Sequence, residues 1–132
     1  MLLIRYADSE FDEFHELIIS EEVKRLGTYG LADGLLGGYS IGLPPLLKFG
    51  SAQLQERLVP DIVRGNKRIC LAISEPYVGS DVSGIHTTAT LNQAGTHFVV
   101  RGVKKWITGG MFADYFTTLC KIGKGMVLLV VE

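Results

Sequence analysis

The sequence has few of the residue types on which metal sites, disulfide frameworks and polyelectrolyte binding depend. Its 132 residues include only two cysteines and three histidines, and the formal net charge is −1. No histidine has a cysteine or carboxylate at metal-ligand spacing, so the sequence gives no argument for a zinc or iron site. The small net charge likewise gives no indication of a nucleic acid or an anionic membrane as a partner.

The two cysteines, Cys70 and Cys120, lie in apolar runs of the kind that forms buried strands. We interpret them as buried, reduced thiols rather than a disulfide, which fits an intracellular, reducing compartment. Mitochondrial, peroxisomal and cytoplasmic locations stay open. The apolar start, Met1 to Ile4, is too short for a signal peptide or a membrane span, and transit-peptide composition is lacking.

The first half of the sequence has helical patterns. Apolar residues recur at helical spacing from about Ser9 to Leu26, with Asp8 or Ser9 as the predicted N-cap and Gly27 as the closing residue. Residues 31–50 combine large apolar side chains with several glycines and a Pro-Pro pair. This favours a buried, kinked helix, broken or bent at Pro44, whose glycines let neighbouring backbone approach closely. A disordered glycine-rich linker is the alternative, but the segment is too apolar for it.

Ser51 is the predicted N-cap of a further helix, which continues past Pro60 and ends at Gly65. The composition changes near Lys67, because only period-two runs and glycine turns follow. We therefore predict a helical segment over residues 1–67 and a β domain over residues 68–132.

Short apolar runs separated by turn residues dominate the second half. The predicted strands are residues 69–74, 87–91, 97–101, 104–108, 115–121 and 126–131. Gly95 and the Gly123–Gly125 turn would close two hairpins. The expected fold class is α+β, with N-terminal helices followed by an antiparallel β domain of the barrel or sandwich type.

Four segments, taken together, resemble the successive signatures of acyl-CoA dehydrogenases. They are Ile73-Ser74-Glu75-Pro76, Gly79-Ser80-Asp81, Lys105-Trp106-Ile107-Thr108-Gly109 and Ala113-Asp114-Tyr115. Any one of them alone is more often an ordinary turn or strand, and Lys104–Lys105 alone is most simply a solvated face. Their joint occurrence, in the family's order and at nearly its spacing, is specific. The resemblance covers most of the chain from about Phe14, and it implies a fragment: the end of the N-terminal helical domain plus the first half of the middle β domain.

The resemblance implies FAD as the cofactor and a cradle of backbone and side-chain groups to hold it. The residues implied to bind FAD are Leu71, Ile73, Ser74, Gly79, Ser80, Trp106, Ile107 and Thr108, with Ser80 also on the substrate side. A hydroxyl such as Thr108 can donate to oxidised flavin N5 or accept from reduced N5. Backbone N–H groups at the end of the first strand could face the N1–O2 region, where negative charge develops.

The resemblance also implies the reaction and its missing part. Family enzymes oxidise an acyl-CoA to the trans-2-enoyl-CoA, as in fatty-acid β-oxidation, and pass the electrons to an acceptor. They form homo-oligomers. Their catalytic base is a carboxylate of a C-terminal helical domain, so no residue here is assigned as the catalyst. Glu75 and Asp81 are interpreted as framework residues. The rival interpretation is a non-catalytic β-sandwich remnant that binds a partner and holds no flavin.

Two local features complete the expectations. Tyr77 stands where small residues are common in the family, so its bulk could narrow the ligand channel. Met126 to Val131 is expected to expose an unpaired strand edge, which would favour association of chains.

Overall fold

The computed structural model describes residues 13–132, and the N-cap predicted at Asp8 or Ser9 lies outside them. The helices are α1 (Glu13–Arg25), α2 (Tyr29–Gly37), a π-helical segment (Gly38–Gly42), α3 (Leu43–Phe49) and α4 (Ala52–Val63). The strands are β1 (Ile69–Ala72), β2 (Thr88–Leu91), β3 (Phe98–Arg101), β4 (Tyr115–Ile122) and β5 (Gly125–Val131), and a short 3₁₀ turn (Val82–Gly84) precedes β2.

The five strands form one sheet around β4. Strand β1 pairs with β4 in parallel, from Ile69 opposite Tyr115 to Ala72 opposite Thr118. The hairpins β2–β3 and β4–β5 are antiparallel, and β2 joins β4 through a short parallel contact. The predicted fold class, helices followed by a β domain, is confirmed. The antiparallel prediction holds within the hairpins, while β4 joins them to β1 and β2 in parallel, so the sheet is mixed.

The helix bend predicted at Pro44 takes the form of a π-helical segment directly before it. Leu43 N–H donates to Gly38 O, a hydrogen bond one residue longer than the α-helical one. Pro44 and the proline after it have no N–H to donate, so the ladder must change at this point. A Cβ at Gly38 would overlap Ile69 O, and one at Gly42 would lie 2.9 Å from the Cys70 backbone. Close approach is therefore confirmed at these two glycines, where the π segment crosses β1.

The main apolar core lies between α3, α4 and one face of β1 and β4. Its buried members are Leu43, Leu46, Leu58, Val59, Ile62 and Ile69. Burial of each such aliphatic side chain contributes about 1.5–3 kcal/mol. Two side-chain hydrogen bonds cross the core: Thr117 Oγ1 donates to Gly42 O at 2.7 Å, and Tyr39 Oη donates to Ile62 O at 3.0 Å. The helices are thereby fixed on the sheet.

The predicted signals for the start of α4 and for the two hairpin turns are also confirmed. Ser51 Oγ accepts from Leu54 N–H at 3.3 Å and caps α4, which runs through Pro60 to Val63. Gly95 and Gly123 take positive φ in the two hairpin turns, which is the conformation that favours glycine there.

The strand predicted over residues 104–108 is wrong. Trp106 has φ = +61°, which is incompatible with an extended strand. Lys105 N–H makes one backbone hydrogen bond, to Ser74 O, instead of entering a ladder. Strand β1 also ends at Ala72, two residues earlier than predicted.

Both cysteines are buried, free thiols, as predicted, and burial raises the pKa of Cys70 to about 11. Within residues 13–132, no helix has the length and apolar character needed to cross a bilayer.

Candidate functional site

The residues that precede β4 form a segment, Lys104–Ala113, that runs from the carboxyl end of β1 back to its amino end. We call it the Trp106 segment. At the carboxyl end, Lys105 N–H donates to Ser74 O at 2.9 Å, and Lys104 Nζ donates to Ile73 O at 2.9 Å. At the amino end, the backbone N–H groups of Asp114 and Tyr115 both donate to Arg68 O. The fold thus brings together residues that are 31 positions apart in sequence at the carboxyl end of β1 and 46 positions apart at its amino end.

Glu75 is the buried polar centre of this region. One of its oxygens accepts from Thr87 N–H at 2.9 Å, Thr87 Oγ1 at 2.6 Å and Lys104 Nζ at 3.0 Å, and the other accepts from His86 N–H at 2.6 Å. Burial raises the pKa of Glu75, but the bonds from Thr87, His86 and Lys104 outweigh it and lower the pKa to about 2. Glu75 is therefore a fixed carboxylate that joins the end of β1 to the start of β2.

Trp106, the only tryptophan of the sequence, lies two residues beyond Lys104. Its side chain is 81% exposed. Its backbone has a positive φ, a conformation that is strained for a bulky residue. The Lys105 ammonium lies 4.5 Å from the centroid of its ring. A strained, exposed aromatic side chain contributes little to the core of this chain, so it is available to contact a ligand.

Two cavities are lined in part by residues of the Trp106 segment. One, of about 630 Å³, is lined by Trp106 and Ile107 together with Ala72, Thr87 and Thr118 of the sheet region. The other, of about 650 Å³, opens between α2 and the segment. Its lining includes Gly34, Gly38, Tyr39, Arg68, Thr108 and Phe112. Thr108 therefore faces a different cavity from its two predecessors, and its Cγ2 lies 3.4 Å from the position of a Cβ at Gly37.

The predicted site residues differ in their exposure and in their neighbours. Ser74 is half-buried beside Lys105, whereas Thr108 is exposed. Gly79 and Ser80 are exposed in the turn after Val78, which is held by a bridge between Glu75 and Val78. The remaining two of the β1 region, Leu71 and Ile73, are half-buried.

Sequence reasoning missed the role of Lys104. The interpretation of Lys104–Lys105 as a solvated face is wrong for Lys104, whose side chain is 12% exposed and bonded to Glu75, and Lys105 alone is exposed. It also missed Thr87, whose backbone and hydroxyl both bond Glu75. The available signal was Glu75 itself, because a carboxylate next to a buried strand needs donors and a cation.

Known proteins are similar to this chain in sequence and in fold. The family described as "Acyl-CoA dehydrogenase, middle domain" matches residues 70–132. An acyl-CoA dehydrogenase of Emericella nidulans is 46% identical over 92% of this chain and 29% of its own length. The crystal structure of acyl-CoA dehydrogenase from Geobacillus kaustophilus superposes with a TM-score of 0.85 at 30% identity, over 97% of this chain and 34% of that one. The chain belongs to the acyl-CoA dehydrogenase family.

A further member of the family was solved with its cofactor. The acyl-CoA dehydrogenase from Bacillus anthracis, complexed with FAD, superposes with a TM-score of 0.75 at 38% identity, over 78% of this chain and 18% of that one. The present chain spans less than a third of the length of the curated acyl-CoA dehydrogenases it matches first.

Proposed function

We propose that this chain supplies the flavin-binding part of an FAD-dependent acyl-CoA dehydrogenase that converts an acyl-CoA thioester to its trans-2-enoyl-CoA. When bound, FAD would accept the hydride at N5 and pass the electrons to an external acceptor. The observation that carries the proposal is the hydrogen bond from Lys105 N–H to Ser74 O, because it joins the two stretches that resemble the family's flavin signatures. Fatty-acid β-oxidation is the proposed setting.

The chemistry of the residues at this junction fits a flat, hydrogen-bonding heterocycle. Trp106 offers an exposed aromatic face, and Ser74 offers a hydroxyl beside Lys105. Thr108 offers a second hydroxyl at the neighbouring cavity, two residues beyond Trp106, and both hydroxyls can donate and accept. We assign Thr108 to the flavin N5 position and the backbone of Ile73 and Ser74 to the pyrimidine edge. Trp106 would shield the ring from water.

The remaining assignments rest on the same resemblance. We propose that Leu71 and Ile107 contact the flavin through their backbone, and that Gly79 and Ser80 bind the pyrophosphate, with Ser80 also near the substrate thioester. The open space around Gly79, where a Cβ would meet nothing within 4 Å, leaves room for a ligand to approach the backbone. The domain boundary near Lys67 falls between α4 and β1 and belongs to the same proposal.

We propose that neither acidic residue of the signatures is the catalytic base. Glu75 has a pKa of about 2 and four hydrogen-bond donors, so it would accept a proton from an α-carbon poorly. Asp81 is exposed and accepts from Ser83 Oγ in its own turn. Both therefore fit framework roles.

Titration of the purified chain with FAD tests the proposal. We expect saturable binding with a shifted flavin spectrum. Trp106→Ala should weaken binding by about 2–4 kcal/mol, because it removes the large apolar cover of the ring. Thr108→Val keeps the shape but removes one hydrogen bond and should cost about 0.5–1.5 kcal/mol. A colourless chain that never binds FAD would contradict the proposal and favour a non-catalytic binding module.

We further propose that the chain associates with itself. Only β4 pairs with β5 within the described residues, so one edge of β5 has no strand neighbour there. Met126 and Leu128 on this strand are exposed. Light scattering at micromolar concentration should therefore show oligomers or aggregates, and a monomer stable for days would contradict this.

A further inference from the structure

Three segments of the chain meet at the Glu75–Lys104 ion pair. Glu75 follows β1, its partners His86 and Thr87 precede β2, and Lys104 begins the Trp106 segment. Lys104 Nζ donates both to Glu75 and to Ile73 O, so one ammonium bonds to two acceptors at the end of β1. Within residues 13–132, no buried side-chain polar atom lacks a hydrogen-bond partner, so the network is complete.

Burial of this pair is not explained by stability alone. The side chains are 12% and 4% exposed, and taking two charges out of water carries a desolvation penalty that their attraction offsets only with well-aligned hydrogen bonds. Apolar side chains of similar volume commonly stabilise such a position as well or better. What the pair supplies is a fixed geometry, because both charges make hydrogen bonds in set directions.

The part of the chain that needs a fixed geometry is the turn at Trp106. Its positive φ is a strained conformation for a bulky residue, and its exposed ring has little packing to hold it in place. The bonds that hold it are those of the Lys105 N–H, one residue before it, and of the Lys104 side chain, two residues before it. Gly102, two residues before Lys104, also packs closely against Thr87, since a Cβ at its position would overlap that residue.

We propose that Glu75 and Lys104 are positioning residues of the flavin site: they hold the strained Trp106 turn against the end of β1 and thereby set where Trp106 and Thr108 meet the flavin. Neither residue needs to touch the flavin for this. The role of Trp106 and Thr108 toward FAD rests on the proposed function above, whereas the restraint on the turn can be measured without flavin.

The single tryptophan makes the test specific. Time-resolved fluorescence anisotropy of the flavin-free chain reports the motion of Trp106 alone. The variants are Lys104→Met and the double variant Glu75→Gln/Lys104→Met, which removes both charges together and so leaves no unpaired buried ion. Lys67→Met is the matched control, because it breaks a lysine–carboxylate pair at the other end of β1, 2.8 Å long and away from Trp106.

We expect a larger nanosecond anisotropy component in both test variants than in the wild type, well below their melting temperatures, and no change in Lys67→Met. Lys104→Arg should restore the wild-type decay, since a guanidinium can also donate to two acceptors. FAD affinity should fall about tenfold in Lys104→Met and stay close to wild type in Lys67→Met. If the pair were merely structural, removing it would lower the melting temperature and leave the motion of Trp106 unchanged.

An anisotropy decay in the double variant that matches the wild type would overturn the positioning role, whether or not FAD binds. Equal FAD affinity in Lys104→Met and the wild type would overturn it as well. A wild-type chain that binds no FAD contradicts the proposed function instead, and the anisotropy comparison then decides the positioning role by itself.

Discussion

Each end of β1 has a lysine–carboxylate pair, one to Lys104 at the start of the Trp106 segment and one to Asp114 directly after that segment, yet their surroundings differ. At the amino end, Lys67 Nζ lies 2.8 Å from Asp114 Oδ1, and the side chains are 44% and 34% exposed. At the carboxyl end, Lys104 Nζ lies 3.0 Å from Glu75 Oε1, and they are 12% and 4% exposed. The distances are nearly equal, so solvent rather than geometry decides how much each pair matters.

The two carboxylates also differ in what else they hold. Asp114 accepts from Lys67 and from the Arg68 N–H, which lowers its pKa and fixes the start of β4 beside β1. Glu75 accepts four hydrogen bonds from two other segments, three from His86 and Thr87 before β2 and one from Lys104. Water can replace the partners at the amino end, whereas it has little access to those at the carboxyl end.

The largest difference in stability between the two ends should come from removing each carboxylate in turn. Glu75→Ala leaves the buried Lys104 ammonium without its counter-charge, with Ile73 O as its remaining acceptor, and leaves the Thr87 donors without their acceptor. The free energy of unfolding should therefore fall by about 3–5 kcal/mol. Asp114→Ala should cost much less, because Lys67 can turn to solvent. Urea denaturation monitored by circular dichroism measures both. Equal losses would show that burial does not separate the two ends.

The pH dependence of the free energy of unfolding should distinguish the same two ends of β1 without a mutation. The folded-state pKa of Glu75 lies below its ordinary value of 4.5, at about 2, so its contribution is complete above pH 4.5 and is lost as the pH falls toward 2. The loss should reach roughly 3 kcal/mol. Unfolding free energies measured from pH 6 to pH 2.5 should show this slope in the wild type and in Asp114→Asn. A slope that persists in Glu75→Gln would contradict its assignment to Glu75.

Between the two ends, packing rather than charge should fix β1. Gly38→Ala places a Cβ against Ile69 O and should destabilise the chain by about 1–3 kcal/mol. Gly34→Ala, in α2 about one turn before Gly38, is the control. A Cβ there meets nothing within 4 Å, so better helix propensity should stabilise the chain by up to about 1 kcal/mol. Thermal unfolding of both variants tests the opposite signs, and two stabilised variants would place the helix farther from β1.

The smallest effect should be the response to salt. Double-mutant cycles with Lys67→Met and Asp114→Asn should give a coupling free energy that shrinks toward zero in 1 M NaCl, because exposed charges are screened. The cycle with Lys104→Met and Glu75→Gln should keep most of its coupling, since ions do not enter the buried site. Equal salt responses would mean that both pairs are open to solvent.

The sequence alone was enough for the elements whose signals are local. Helix ends at Ser51 and Gly65, the two glycine hairpins and the irregularity before Pro44 follow from caps, turn residues and a missing N–H. The family also came from the sequence, because four short motifs in a fixed order are a joint signal that no single one carries. These features depend on residues only a few positions apart.

Tertiary structure alone decided the site around the end of β1. The extended pattern at residues 104–108 predicted a strand, but Lys104 and Lys105 bond to residues 73–75 and bend the chain at Trp106 instead. Likewise, no local pattern shows whether a lysine is solvated or buried beside a carboxylate twenty-nine residues away. Burial sets the cost of an unpaired charge, and burial exists only after the segments have packed, so the partner of Glu75 could be found only in the folded chain.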